Sequence, residues 1–174
     1  IKKKLKLPIL AKDFFIDPYQ VSYSKSFGCD CVLIILAALS EKQADEIFDW
    51  LNESDPYFLV FLKFVSYGFL RPIEVCRLKV GDINFDEKTL TVRAKNKALK
   101  TKTIPNLLLA EIEFLRKEKK EHWIFTPEGV GSSDTTEKNR RDYFSKQFLK
   151  VKKKLNLEVN YTMYSFRHTF TTKV

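Results

Sequence analysis

The 174-residue sequence predicts a mostly helical α+β protein with a small antiparallel β-sheet. Helix starts followed by apolar residues at helical spacing recur from residue 40 onwards. Alternation with β-branched residues is confined to one short stretch between residues 89 and 104, which suggests a small sheet beside a helical body. Hydrophobic residues make up 44% of the chain, with only five glycines and six prolines, so we expect one globular core without long flexible linkers.

The charge and the cysteines narrow the class of protein. The formal net charge of +9 favours an acidic partner, most commonly nucleic acid, although ribosomal and membrane-surface proteins share such a charge. Cys29, Cys31 and Cys76 form an odd set without zinc-ligand spacing, so we expect reduced thiols, no metal and a cytoplasmic location. The longest apolar run, Val32 to Leu39, is too short to cross a bilayer.

The first part of the chain shows no helical period and is interrupted by Pro8 and Pro18. We expect residues 1–38 to be an arm or linker and residues 39–174 to form the domain. The run from Val32 to Leu39 indicates a buried element, and its periodicity does not decide between strand and helix.

Two helices are well marked at their starts. Ser40 and Gln43 have the spacing of a capping box, and the following helix places Ala44, Ile47, Phe48 and Leu51 on one apolar face. Asp55 and Pro56 suit the N-cap and first position of a second helix, which is predicted to end near Tyr67. Further helices are predicted at residues 72–78, 107–121, 138–155 and from 163 onwards.

The segment from Tyr67 to Leu78 predicts a rigid turn that presents an arginine. Gly68 can end the preceding helix with a positive φ, and Pro72 suits the first turn of the next. Glu74 follows Arg71 by three residues and can hold its guanidinium. A braced arginine suits an oxyanion or phosphate, whereas the simpler alternative is a structural Arg–Glu pair that closes a helix end.

Two basic segments predict a surface for nucleic acid. The first is a hairpin with strands at residues 89–93 and 102–104 and a basic tip; residues 93–102 contain five cations and no acid. The second is the helix at residues 138–155, where eight cations face Asp142 alone, although helix surfaces normally mix both signs. The predicted DNA contacts are Arg93, Lys95, Lys100, Lys102, Arg140, Arg141, Lys150, Lys152, Lys153 and Lys154.

A second arginine lies among aromatic residues in the last predicted helix. Phe166 and Phe170 share one face, and Arg167 lies beside it. His168 suits either a functional site or a core histidine bonded to the backbone, and Tyr164 either a site residue or a half-buried aromatic.

Taken in order, these segments resemble the tyrosine recombinases, or phage integrase family. Residues 68–75, followed by Gly81-Asp82-Ile83, resemble the first arginine box of that family, and residues 164–170 resemble its second box, usually His-x-x-Arg followed by His-Thr. The basic hairpin before Pro105 is similar to the family's lysine hairpin. The resemblance covers residues 39–174.

The resemblance implies the tyrosine recombinase catalytic-domain fold and a DNA strand-transfer reaction. A tyrosine cleaves a strand by forming a 3′-phosphotyrosyl bond and the strand is rejoined to another, in site-specific recombination or integration of a mobile element, without metal or cofactor. Arg71 and Arg167 match the arginines that stabilise the charged phosphorane. Glu74 would orient Arg71, with His168 in support.

The resemblance also implies that a lysine of the hairpin protonates the leaving 5′-oxygen. Counting back from Pro105 selects Lys97, with Lys95 and Lys100 as open alternatives.

The sequence departs from the family pattern at two places. Tyr164 occupies the place of the histidine; a phenol with a pKa of about 10 is a poor base, although it can donate a hydrogen bond to phosphate. No tyrosine follows Arg167 among residues 168–174, so we expect the chain to stop before its nucleophile and to be inactive alone.

The expected partner is double-stranded DNA. The resemblance implies a tetramer on paired sites for the full-length protein, and we expect a monomer for this chain. The alternatives are a non-catalytic DNA-binding module of the same fold, a type IB topoisomerase-like enzyme and a plain RNA-binding protein.

Overall fold

A helix and two short strands form a small unit at the start of the chain. The computed structural model describes residues 7–13, 15, 17–33, 39–93 and 99–171, with the backbone alone at Thr171. Strands β1 (Leu10–Ala11) and β2 (Cys31–Val32) are parallel and are connected through α1 (Pro18–Ser26). Among the described residues of 7–33, none is buried.

The helix in this unit differs from the sequence prediction. Pro18 begins α1 and does not interrupt it, because Asp17 and Gln20 form a capping box around it. Residues 34–38, which contain most of the apolar run from Val32 to Leu39, lie outside the described residues.

Helices α2 (Glu41–Ser54) and α3 (Pro56–Ser66) start where the sequence predicts. The Ser40 hydroxyl accepts the backbone N–H of Gln43, and Asp55 accepts that of Phe58. The predicted apolar face of α2 is buried against α3, whose aromatic residues form the centre of the core. The rings of Phe61 and Phe144 stack there with their centroids 4.2 Å apart.

The turn after α3 has a left-handed residue, but it is Phe69 and not Gly68. Phe69 has a φ of 50°, while Gly68 is not in the positive-φ region. A Cβ at Gly68 would lie 2.6 Å from the carbonyl oxygen of Phe64, so a close approach of backbone to backbone explains this glycine. The short helix α4 (Pro72–Val75) follows and ends before the predicted residue 78.

The predicted hairpin is part of a three-stranded antiparallel sheet. Strands β3 (Ile83–Asn84), β4 (Thr89–Val92) and β5 (Lys100–Thr103) are arranged in the order β3-β4-β5. The sequence analysis missed β3, which contributes only two residues. Lys102 pairs with Leu90 across the hairpin. The tip at residues 94–98, including Lys95 and Lys97, lies outside the described residues.

The remaining helices complete the core. Helix α5 (Asn106–Ile112) continues as a 3₁₀ helix at Glu113–Lys117 and ends before the predicted residue 121. The chain turns there because the backbones of Lys120 and His122 accept hydrogen bonds from Gly81 and Val80. Helices α6 (Glu137–Lys154) and α7 (Met163–Thr171) follow, close to their predicted bounds.

Helix α7 packs against the first two core helices. The ring of Phe48 stacks on Phe166 and Phe170, with centroid distances of 5.4 and 6.2 Å. No helix among the described residues combines the length and apolar character needed to cross a membrane.

Candidate active site

Arg71 is held by a buried carboxylate at the start of α4. Its backbone N–H donates to Oε2 of Glu74 at 2.8 Å, and its guanidinium donates to Oε1 at 2.9 Å. Glu74 is only 6% exposed, whereas the Arg71 side chain is 52% exposed. The carboxylate therefore caps the helix and orients an arginine that still faces outward, so the predicted pairing is confirmed.

Lys102 reaches the same turn from strand β5. Its ammonium donates to the carbonyl oxygens of Gly68 and Phe69, at 3.2 and 3.3 Å. Burial lowers the pKa of Lys102; the charge of Glu74 opposes this shift, and those of Arg167 and Arg71 add to it. Lys102 is thus within electrostatic range of both box arginines.

Helix α7 contributes the second arginine through alternating buried and accessible positions. Phe166 and Thr169 are buried, and the single hydroxyl proton of Thr169 is shared between the carbonyl oxygens of Leu39 and Ser165, which lie 2.8 and 2.9 Å from the hydroxyl oxygen. Between them, Arg167 and His168 are half-buried. Packing of α7 therefore fixes the backbone from which Arg167 extends.

His168 and Tyr164, which also belong to the second box, differ in their environments. Burial, and then the charge of Arg167, lower the pKa of His168 below its ordinary value and favour the neutral imidazole. Tyr164 is 40% exposed, and its backbone N–H donates to the hydroxyl of Thr162 at the start of the helix. Its phenol accordingly remains accessible from outside.

A cavity of about 360 Å³ lies between α6, the start of α7 and Pro72. Its walls are largely apolar, with Phe148, Leu149 and Met163 among them, and Arg141 and Lys152 also line it. Pro72 of the first arginine box and Tyr164 of the second both line the cavity, so the cavity adjoins both boxes.

The predicted DNA contacts differ in exposure: Lys95 lies outside the described residues, and Lys102 is half-buried with the two carbonyl partners given above. Arg93, Lys100, Lys150, Lys153 and Lys154 are exposed. In contrast, Lys152 donates to the carbonyl oxygens of Val159 and Tyr161 at 2.6 and 3.0 Å, and Arg141 pairs with Asp142 at 2.6 Å. These two cations already have partners within the protein.

Arg140 requires a correction, because it is a core residue. It is 3% exposed, and its Nε and Nη2 donate to the carbonyl oxygen of Cys76 at 3.2 and 3.1 Å. Its Nη1 donates to the carbonyl oxygen of Thr135, and the guanidinium lies 4.1 Å from the ring centroid of Trp123. It joins α4 to α6 and does not face DNA.

One ion pair beside this site was not predicted. Arg77 donates to Glu137 through Nε and Nη2, at 2.5 and 2.7 Å, and fixes the start of α6 to the segment after α4. The partners are 60 residues apart, so no local pattern could reveal the pair. Cys76, the residue before Arg77, is a free and buried thiol, and burial raises its pKa to about 12.

The fold and this pair of arginine boxes define a recombinase-type catalytic domain. The family model described as "Phage integrase family" matches residues 37–174, more than half of the chain. The chain therefore belongs to the phage integrase family.

Solved structures share the fold. The crystal structure of XerA recombinase aligns with a TM-score of 0.61 and 18% identity, covering 80% of this chain and 50% of that one. The integrase from mycobacterium phage Brujita gives 0.59 and 16%, covering 79% and 44%. The Tn1549 transposon integrase in complex with transposon right end DNA gives 0.60 and 14%, covering 92% and 59%. This chain thus spans about half of each recombinase chain.

The start of the chain is similar to a different family. The family model for indole-3-glycerol phosphate synthase matches residues 1–60, overlapping the integrase match at residues 37–60. The synthase of Azospirillum brasilense is 60% identical over 43 residues, or 25% of this chain and 16% of that protein. That of Aliarcobacter butzleri is 37% identical over 60 residues, or 34% of this chain and 23% of that protein. The two arginine boxes lie outside this likeness.

Proposed function

We propose that the whole protein is a DNA strand transferase that acts through a 3′-phosphotyrosyl intermediate, in site-specific recombination or integration of a mobile element. Residues 39–174 are its catalytic domain in this proposal, and residues 1–38 are an arm or linker. The proposal rests on one arrangement of charges. Arg71 faces outward and is held by the buried Glu74, and the charges of Arg71 and Arg167 both act on Lys102.

This arrangement suits a phosphate that gains negative charge. A nucleophilic tyrosine oxygen attacks the phosphorus, the bond to the 5′-oxygen breaks, and the 3′-phosphotyrosyl bond forms. Fixed guanidiniums at Arg71 and Arg167 stabilise the pentacoordinate state more than the ground state. Tyr164 donates a hydrogen bond to a phosphate oxygen. The reverse attack by a 5′-hydroxyl rejoins the strand, so no external energy source is required.

The leaving 5′-oxygen needs a proton. We assign this role to Lys97, with Lys95 and Lys100 as the alternatives on the same hairpin. Lys100, the described member of the three, is exposed on β5.

The partner in this proposal is double-stranded DNA. The exposed cations Lys150, Lys153 and Lys154 at the end of α6 supply a surface for phosphates, together with Arg93 and Lys100. The Tn1549 integrase structure is a complex with transposon right end DNA, and the XerH recombinase structure is bound to difH substrate, which supports a DNA ligand here. We infer a tetramer on paired sites for the whole protein and a monomer for this chain.

The decisive experiment uses the whole protein and a duplex that traps the covalent intermediate. Arg71→Ala or Arg167→Ala should nearly abolish cleavage and leave most of the DNA affinity, because other phosphate contacts remain. Loss of folded protein with unchanged cleavage per folded molecule would instead make both arginines structural.

The 174-residue chain should form no covalent adduct with the same duplex, since no tyrosine follows Arg167 in it. A denaturant-resistant band that maps to one of its tyrosines would contradict this.

A non-catalytic DNA-binding module is the second candidate, favoured by Tyr164 at the position of the family's histidine. In that case the whole protein would bind duplex and form no adduct, whether or not Tyr164 is replaced by histidine. A type IB topoisomerase-like enzyme would relax DNA without assembling on paired sites.

A further inference from the structure

We propose that Lys102 is a positioning residue of the phosphate site, whose ammonium fixes the Gly68–Phe69 turn and thereby the direction in which Arg71 is presented. The inference rests on the proposed function, because a phosphate at Arg71 is part of it. It adds a residue that acts through Arg71, in contrast to the hairpin lysine proposed to donate a proton.

The turn needs a clamp because of its backbone conformation. Phe69 has a φ of 50°, and this left-handed region is unfavourable for a residue other than glycine by roughly 1–2 kcal/mol. Such a conformation persists only where its surroundings hold it. Lys102 donates to the carbonyl oxygens of the two peptide groups that flank Phe69, from a strand 33 to 34 residues away in sequence.

What the turn holds is the start of α4. Leu70 follows Phe69 and is fully buried, and Arg71 comes next as the N-cap of α4. Glu74 fixes Arg71 from the helix side, and Lys102 fixes the chain on the preceding side. The two contacts together leave the segment little freedom to redirect the guanidinium.

The position of Lys102 in the sheet also points to a specific role. It pairs with Leu90 across the sheet, and Ile104, the residue directly after β5, follows it by two positions, the spacing at which side chains of an extended chain point the same way. Leu90 and Ile104 are 2% and 3% exposed. An apolar side chain would suit these neighbours, whereas a lysine here needs the two carbonyl oxygens for its charged end.

The charges around Lys102 link it to the phosphate. Glu74 stabilises the ammonium, while Arg71, Arg167 and Lys100 repel it. An ammonium has three N–H donors, and two are used on the carbonyl oxygens. An oxyanion bound by both arginines would offset their repulsion of Lys102. Its binding would therefore strengthen the hydrogen bonds from Lys102 to the Gly68–Phe69 turn.

The test measures orthovanadate binding to the 174-residue chain by titration calorimetry, with urea unfolding in parallel. Lys102→Met should weaken vanadate binding about fivefold to tenfold, the loss expected from two hydrogen bonds. Lys102→Arg, which can still donate to both carbonyl oxygens, should restore most of the affinity. Lys88→Met, at an exposed lysine in the turn between β3 and β4, is the matched control and should leave the affinity unchanged.

A double-mutant cycle separates positioning from direct contact. If Lys102 acts through Arg71, Lys102→Met should have little further effect in the Arg71→Ala background. Equal losses in both backgrounds, or unchanged vanadate affinity for a folded Lys102→Met chain, would overturn the inference. If Lys102→Met does not fold, Lys102→Gln enters the same cycle. Should Arg71→Ala and Arg167→Ala both leave vanadate binding unchanged, the proposed function fails independently of Lys102.

Discussion

Glu74 holds Arg71 at two points, with Oε2 on the backbone N–H at 2.8 Å and Oε1 on the guanidinium at 2.9 Å. A single buried carboxylate therefore both begins α4 and orients the arginine. The structural interpretation of this pair and the functional one are thus compatible, and variants at Glu74 can separate them.

Glu74→Ala should reduce both stability and oxyanion binding, while Glu74→Gln should mainly reduce the second. Alanine removes the helix cap, and we expect the free energy of unfolding to fall by about 1–2 kcal/mol. Glutamine keeps an acceptor for the backbone N–H but loses the charge on the guanidinium side. Urea unfolding and vanadate titration measure the two effects, and full vanadate affinity in a folded Glu74→Ala chain would show that Arg71 needs no brace.

Arg140→Met should destabilise the fold strongly and leave DNA affinity per folded molecule unchanged. The variant loses hydrogen bonds to two carbonyl oxygens and the stacking on Trp123, so we expect about 2–4 kcal/mol of lost stability. Lys153→Met, on the exposed side of the same helix, is the control and should change stability by less than about 0.5 kcal/mol. Weaker duplex binding by folded Arg140→Met would return this residue to the DNA surface.

The sequence predicts a hydrogen-bonded pair well when its two residues are close in the chain. The caps at Ser40 and Asp55 and the Arg71–Glu74 pair each span three residues, and all three are found as predicted. The cap of α1 is equally local, but the prediction places an interruption at Pro18, where the helix in fact begins.

Whether a lysine or arginine side chain is buried or faces outward could not be predicted in the same way. Lys102 and Arg140 donate to backbone carbonyl oxygens 34 and 64 residues away, so their burial depends on tertiary packing that no local pattern records. A basic helix such as α6 therefore mixes cations that tie segments together with cations that face outward. The same limit explains why Phe69, and not the glycine beside it, carries the left-handed turn.

The exposed lysines at the end of α6 should determine the salt dependence of duplex binding. Replacing Lys150, Lys153 and Lys154 with glutamine should weaken binding and reduce the slope of log affinity against log salt by about 2–3, since each phosphate contact releases counterions. The control replaces Lys88, Lys117 and Lys119, also exposed, and makes the same change in net charge. Fluorescence anisotropy over a salt series measures both, and equal slopes for the two triple variants would place DNA elsewhere.

His168 should make the fold less stable in mild acid. Its pKa is lowered in the folded state, so the unfolded chain, with a histidine pKa of about 6.5, binds more protons as the pH falls through that value. The free energy of unfolding should therefore fall between pH 7.5 and 5.5 more in the wild-type chain than in His168→Asn. His122 is present in both chains, so its contribution cancels. Parallel urea midpoints over this range would contradict the burial of the imidazole.

Removing residues 1–38 should leave the domain folded and nearly as stable. Among the residues that the structure describes, those of the buried apolar core run from Leu39 to Phe166, and the described residues of 7–33 include no buried one. Their aromatic side chains contact one another along α1, with Tyr23 and Phe27 at 4.8 Å, and Tyr19 and Phe27 are each 69% exposed. Leu39 must be kept, because its carbonyl oxygen accepts the buried Thr169 hydroxyl that anchors α7.

We expect the urea midpoints of the 39–174 chain and the full chain to agree closely, and limited proteolysis to cut first within residues 1–38. A matched deletion that also removes Leu39 should lower the midpoint further. A large loss of stability from the 1–38 deletion alone would mean that the synthase-like segment is an integral part of the fold.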